Sequence, residues 1–128
     1  MGLSGVTIVP AIIQKSWEDW QIVSVYKKLG ARGLVCGFLP GDGPDPHKKD
    51  QMKAAANSLR PTFELAASLA NAGFGQPDVC GPIHTLHRAK RTAEDIAMMD
   101  VWIYEELLAL SKEYGTRVLF EPLNKIED

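Results

Sequence analysis

Strand-like apolar runs and helix-like amphipathic stretches alternate along this chain, and each helix-like stretch closes on a glycine. Four strand segments separated by three helical ones give the order β-α-β-α-β-α-β, which calls for a parallel sheet joined by right-handed crossovers. The strand candidates are Val6 to Val9, continuing through Ala11 to Ile13 beyond Pro10, then Leu34 to Leu39, Asp78 to Ile83 and Arg117 to Phe120. Leu34-Val35-Cys36-Gly37-Phe38-Leu39 is an unbroken apolar run, as expected of a strand covered on both faces.

The helices announce their ends locally. Ser16 with Asp19 three residues on resembles a capping box, and that helix should run to Leu29 and stop at Gly30. Asp45-Pro46 reads as an N-cap followed by a first-turn proline, starting a helix that reaches Ala72-Gly73. Pro61 lies in its middle, where it removes one hydrogen bond and crowds the preceding turn, so a kink or break is expected near Leu59. Thr92 with Asp95 caps the last helix. There Ile96, Met99, Ile103, Leu107, Leu110 and Tyr114 recur at three- and four-residue steps until Gly115.

At 128 residues, 45% of them hydrophobic, residues 1–128 make one α/β domain with enough apolar side chain for a core. A net charge of −2 gives no basic footprint for nucleic acid. No run approaches the ~18 apolar residues of a membrane span, and no leader pattern opens the chain, so no membrane partner is expected. Cys36 and Cys80 sit inside apolar runs, where free cysteine acts as a small hydrophobe, and a reducing cytoplasm suits them. Val79-Cys80-Gly81 echoes Val35-Cys36-Gly37, consistent with a repeated βα plan.

Two architectures share this element order: a small open doubly wound sheet, and part of a closed (β/α)₈ barrel, which needs about 250 residues in full. The partial barrel is the reading adopted, because a strand opens the described order and another closes it without a covering helix. In either architecture ligands bind beyond the carboxyl ends of the strands. An acid there, as at Glu121 after Leu119-Phe120, is placed for chemistry.

Three segments carry a family resemblance: Cys36-Gly37-Phe38-Leu39-Pro40-Gly41-Asp42 with Asp45-Pro46, then Cys80-Gly81-Pro82-Ile83-His84, then Phe120-Glu121-Pro122-Leu123-Asn124-Lys125-Ile126-Glu127. Together they resemble the sugar phosphate isomerase/epimerase family, xylose-isomerase-like TIM barrels that include tagatose and psicose 3-epimerases. The last segment resembles the family's Glu-Pro-Leu-Asn-Arg-x-Glu, with Lys125 in place of arginine, which keeps the charge and loses the planar fork. The resemblance covers nearly the whole chain as family strands two to five with three intervening helices, and so implies a fragment of the full barrel.

By that resemblance Glu121 binds a divalent metal (Mn, Mg or Co) and is one of two acid/base carboxylates facing each other across a sugar. Glu127 and His84 would contact the substrate. The reaction implied is proton transfer next to a carbonyl through an enediolate, with a metal polarising the oxygens. The family's other metal ligands, an Asp, a His and a second Glu, belong to strands that this chain does not include. The isolated chain is therefore expected to be inactive and to bind little or no metal, since affinity comes from converging ligands.

The alternatives are a half-barrel that self-associates through exposed sheet edges, a small-molecule binding domain, and an endonuclease-IV-like DNA-repair relative, against which the acidic balance counts. His84 and His87 suggest zinc by spacing, but no further Cys/His set accompanies them. His47, in a first helical turn, reads as surface, and Asp42 and Asp45 read as turn and cap residues. Trp17, Trp20 and Trp102 read as core or interface positions.

Overall fold

The computed structural model describes residues 5–8, 16–30, 32–36, 44–75, 77–81 and 91–120. Its elements are β1 (Gly5–Ile8), α1 (Asp19–Leu29), β2 (Arg32–Cys36), α2 (Lys49–Ser58), α3 (Arg60–Asn71), β3 (Asp78–Gly81), α4 (Ala93–Trp102), a π-helical turn (Ile103–Leu107), α5 (Leu108–Tyr114) and β4 (Arg117–Phe120). The fold is mixed α/β, with four parallel strands in the order β1-β2-β3-β4. That order differs from the 2-1-3-4 of a small doubly wound sheet.

Helices α1, α3 and α5 lie side by side in the order of the strands they follow. α3 packs on β2 and β3, and α5 packs on β4. The three therefore cover one face of the sheet. Val79 and Val118 are register partners and both join the core beneath these helices. Strand alternation then turns Asp78, Cys80, Arg117 and Leu119 to the opposite face. The sequence echo is also a register match, for Val35 pairs with Val79 and Cys36 with Cys80. Cys80 is a free, half-buried thiol, as expected of a structural cysteine.

Pro61 breaks the long helix as its chemistry dictates. Leu59 separates α2 from α3, its N–H bonded three residues back to the Ala56 carbonyl at 3.0 Å, and Pro61 then sits in the first turn of α3, where no N–H is needed. The remainder of α3 supplies the centre of the core with Phe63, Leu65, Ala66 and Leu69 fully buried. Gly30 and Gly115 close α1 and α5 in the left-handed conformation, at φ of 59° and 66°.

Several boundaries move. α1 starts at Asp19, because Gln21 Oε1 accepts a 2.9 Å hydrogen bond from the Glu18 N–H; this places the cap two residues past Ser16. α2 starts at Lys49, because Asp45 makes a turn and caps no helix: its Oδ1 accepts from the His47 N–H at 3.0 Å, and its carbonyl accepts from the Lys48 N–H at 3.1 Å. β2 begins at Arg32, two residues before the expected apolar run, and β3 ends its assigned span at Gly81.

The last helix keeps its Thr92–Asp95 capping box but not its regular stripe. Ile96, expected inside, is half exposed, while Asp95, Met99, Trp102, Leu107 and Leu110 are buried. The step from Trp102 to Leu107 is five residues, which the π turn absorbs through a bond from the Leu108 N–H to the Ile103 carbonyl. A strict 3.6-residue pattern misses this, because one wide turn rephases everything on its N-terminal side. Trp102 is at the junction, 1% exposed, with its indole N–H donating to the Met52 carbonyl at 2.7 Å. Trp17 and Trp20 differ from the core expectation, being 45% and 70% exposed.

Candidate functional site

The carboxyl ends of the strands form the edge where parallel sheets place ligands, and the described groups there come from two segments. One is the turn leading into α2, where Pro44 and Pro46 are buried and Asp45 is half-buried. The Asp45 N–H donates to Gln51 Oε1 at 3.2 Å, and Lys48 Nζ stands 3.4 Å from Asp45 Oδ2. The other is the start of α4. Asp95 Oδ2 accepts from the Thr92 N–H at 2.8 Å and from the Thr92 hydroxyl at 2.9 Å, and the Asp95 N–H returns a bond to Thr92 Oγ1 at 3.1 Å.

One side-chain contact joins the two segments. His47 Nε2 lies 2.8 Å from Asp95 Oδ1, across 48 positions of sequence. The bonds from Thr92, then that from His47, hold the Asp95 carboxyl down at about 2, and the dipole of α4 favours the same charge. The same carboxylate raises the His47 imidazole above its ordinary 6.5. A carboxylate that fixes an imidazole in this way can orient it for proton transfer or serve as a structural tie. His47 thus differs from its surface reading. It is partly exposed, but Asp95 is buried.

Below this edge, charge fixes the frame. Arg117 makes a two-pronged contact with Asp78, Nε to Oδ1 at 2.7 Å and Nη2 to Oδ2 at 2.8 Å, between register partners at the amino ends of β3 and β4. On the helical layer, Arg60 donates to Glu113 at 2.7 Å and to the Tyr114 hydroxyl at 3.3 Å, tying α3 to α5. An open groove of about 540 Å³ runs between α1 and α3, lined by Asp19, Trp20, Val23, Ser24, Lys27 and Ser68. It contains none of the side chains expected to carry chemistry.

Those expected side chains, Glu121, Glu127 and His84, lie outside the described residues, as do His87, Asn124 and Lys125. Their points of attachment do not. Gly81 and Phe120 are register partners at the carboxyl ends of neighbouring strands; His84 follows Gly81 by three positions, and Glu121 follows Phe120 directly. Among the described residues, no three of His, Cys, Asp and Glu converge as a metal site, and no helix is long and apolar enough to cross a membrane.

Sequence reasoning passed over the His47–Asp95 pair. The one available signal was a capping-box aspartate, which has a spare carboxylate oxygen once Thr92 is satisfied. Nothing local points that oxygen toward His47. Comparisons of the chain with family models, with curated proteins and with solved structures find no match in any of the three.

Proposed function

We propose that this chain carries part of the carboxyl edge of a barrel of the sugar phosphate isomerase/epimerase kind, with Glu121 as metal ligand and proton carrier and with Glu127 and His84 against the substrate. The supporting observation is where strand order and motif meet. Four parallel strands succeed one another in chain order under one layer of helices, and Glu-Pro-Leu-Asn-Lys-Ile-Glu begins where β4 ends. That winding suits a partial (β/α)₈ barrel, whose reactive groups follow the carboxyl ends of its strands.

The substrate in this reading is a small sugar or hydroxy-carbonyl compound that exchanges the proton on the carbon beside its carbonyl. Glu121 takes that proton on one face, and a second carboxylate returns it on the other. A divalent ion, Mn, Mg or Co, supplies polarisation of the carbonyl and hydroxyl oxygens when bound. One carboxylate does not hold such an ion well, because affinity comes from several converging ligands. The 128-residue chain alone is therefore inactive in this proposal, and turnover belongs to a complete barrel in a reducing cytoplasm.

Manganese titration followed by NMR line broadening tests the assignment. Weak binding should broaden the amides of Gly81 and Phe120, and Glu121→Gln should abolish the effect. Broadening that survives the substitution would remove Glu121 from the metal site, and a tight site with turnover of a ketose would overturn the expected inactivity.

A second reading, self-association through sheet edges, is favoured by Leu119 and Phe120, which are 42% and 46% exposed on β4 at the edge of the described sheet. Sedimentation decides it. A strict monomer at micromolar concentration excludes a half-barrel that closes on a second copy.

A further inference from the structure

The carboxyl edge holds one side-chain bond between described segments that are distant in sequence, and that bond contains an imidazole. His47 belongs to the turn before α2; Asp95 belongs to the first turn of α4. Asp95 is already fixed, because both capping-box bonds run through Thr92 and its side chain is buried. The mobile partner in chemical terms is the proton on His47.

The charges acting on His47 share one sign. Asp95 is in contact, and Glu94 from the same helix and Asp45 from its own turn act at longer range. Of the nearby cations, Lys48 is turned to Asp45 at 3.4 Å, and Arg91 leads half-buried into the start of α4. Adding a proton to His47 therefore converts a neutral hydrogen bond into an ion pair inside an acidic cluster.

We propose that His47 and Asp95 form a proton-operated clasp that holds the turn before α2 onto the start of α4, tightening this part of the carboxyl edge when the imidazole is protonated and relaxing it when neutral. The neutral ring still donates from Nε2, so the clasp loosens rather than opens. The sign follows from the raised His47 value: the added hold is complete below the unfolded-state 6.5 and is lost as pH rises through the higher folded-state midpoint. The device acts in the neutral range, where histidine alone among unperturbed side chains changes charge. It does not depend on the sugar chemistry proposed above.

The test uses the whole chain. His47 ring signals are titrated by NMR, and amide hydrogen exchange of His47 and Lys48, corrected for the intrinsic pH dependence, is followed through the same range. The expected results are a midpoint above 6.5, a downward shift of that midpoint in Asp95→Asn, and exchange slower by roughly twofold or more on the acidic side. His47→Gln keeps a donor at the Nε2 position without a titrating proton, and it should remove the exchange step while leaving the chain folded. This second variant also covers the case in which the loss of Asp95 weakens the helix start. The clasp is refuted by a midpoint that Asp95→Asn leaves in place, by an exchange step that persists in His47→Gln, or by no step in the unaltered chain.

Discussion

Replacing Trp102 with phenylalanine probes the contact that carries α4 across its rephased turn onto α2. The indole is 1% exposed, and its N–H reaches the Met52 carbonyl at 2.7 Å. Phenylalanine cannot donate, so a carbonyl on a buried residue loses this partner, a loss of about 1–3 kcal/mol. The smaller ring also removes about 40 Å² of buried apolar surface, worth about 1 kcal/mol at ~25 cal/mol/Å². The sum is about 2–4 kcal/mol, a large share of the ~5–15 kcal/mol that stabilises a typical domain. Urea denaturation monitored by far-UV circular dichroism measures it. Fluorescence adds a specific signature: the other two tryptophans, Trp17 and Trp20, are 45% and 70% exposed, so the blue-shifted native emission belongs to Trp102 and disappears with it. Trp20→Phe is the control and should stay within about 0.5 kcal/mol. A loss below about 0.5 kcal/mol in Trp102→Phe, or an unchanged native emission maximum, refutes the buried, hydrogen-bonded indole.

Thr92→Ala removes the acceptor of the Asp95 N–H bond and should lower stability by about 1 kcal/mol in the same urea assay. Gly115→Ala places a Cβ on a residue at φ 66° and should destabilise by about 1–2 kcal/mol, read as a lower melting temperature, although the space around it is open. Asp95 is held at about 2 against an ordinary 3.8, so its contribution is present above 3.8 and is lost as pH falls toward 2. Acid denaturation of Asp95→Asn should accordingly begin from a lower plateau with a shallower slope across that window.

Much of the fold was legible because its signals are short-range. Pro61 breaks a helix through its own missing N–H, Gly30 and Gly115 stop helices through their own φ, and Thr92 with Asp95 closes a ring four residues long. None of these depends on distant chain. The starts of α1 and α2 moved for a related reason, since several side chains within a few residues compete for the same free amides. The Glu18–Gln21 pair prevailed over Ser16, and Asp45 bonded its own turn instead of a helix.

The candidate site was legible only as strand ends. The motif at Glu121 and the apolar runs before it identified which edge of the sheet matters, because a parallel strand delivers whatever follows it to the carboxyl side. The partnership of His47 with Asp95 was not readable, since their separation of 48 residues is bridged only when α2 and α4 are brought together. The exposure of Ile96 and the burial of Trp102 likewise depend on one π turn, whose geometry no local propensity announces.

The sequence by itself determined the alternation of strands and helices, most helix ends and the break at Leu59, because caps, prolines and glycines act within a turn of where they stand. Only the tertiary structure decided that the strands run in the order 1-2-3-4, that Arg117 locks onto Asp78, and that His47 meets Asp95. Those outcomes are set by the packing of α1, α3 and α5 on one face of the sheet, and packing between distant segments leaves no mark on either segment alone.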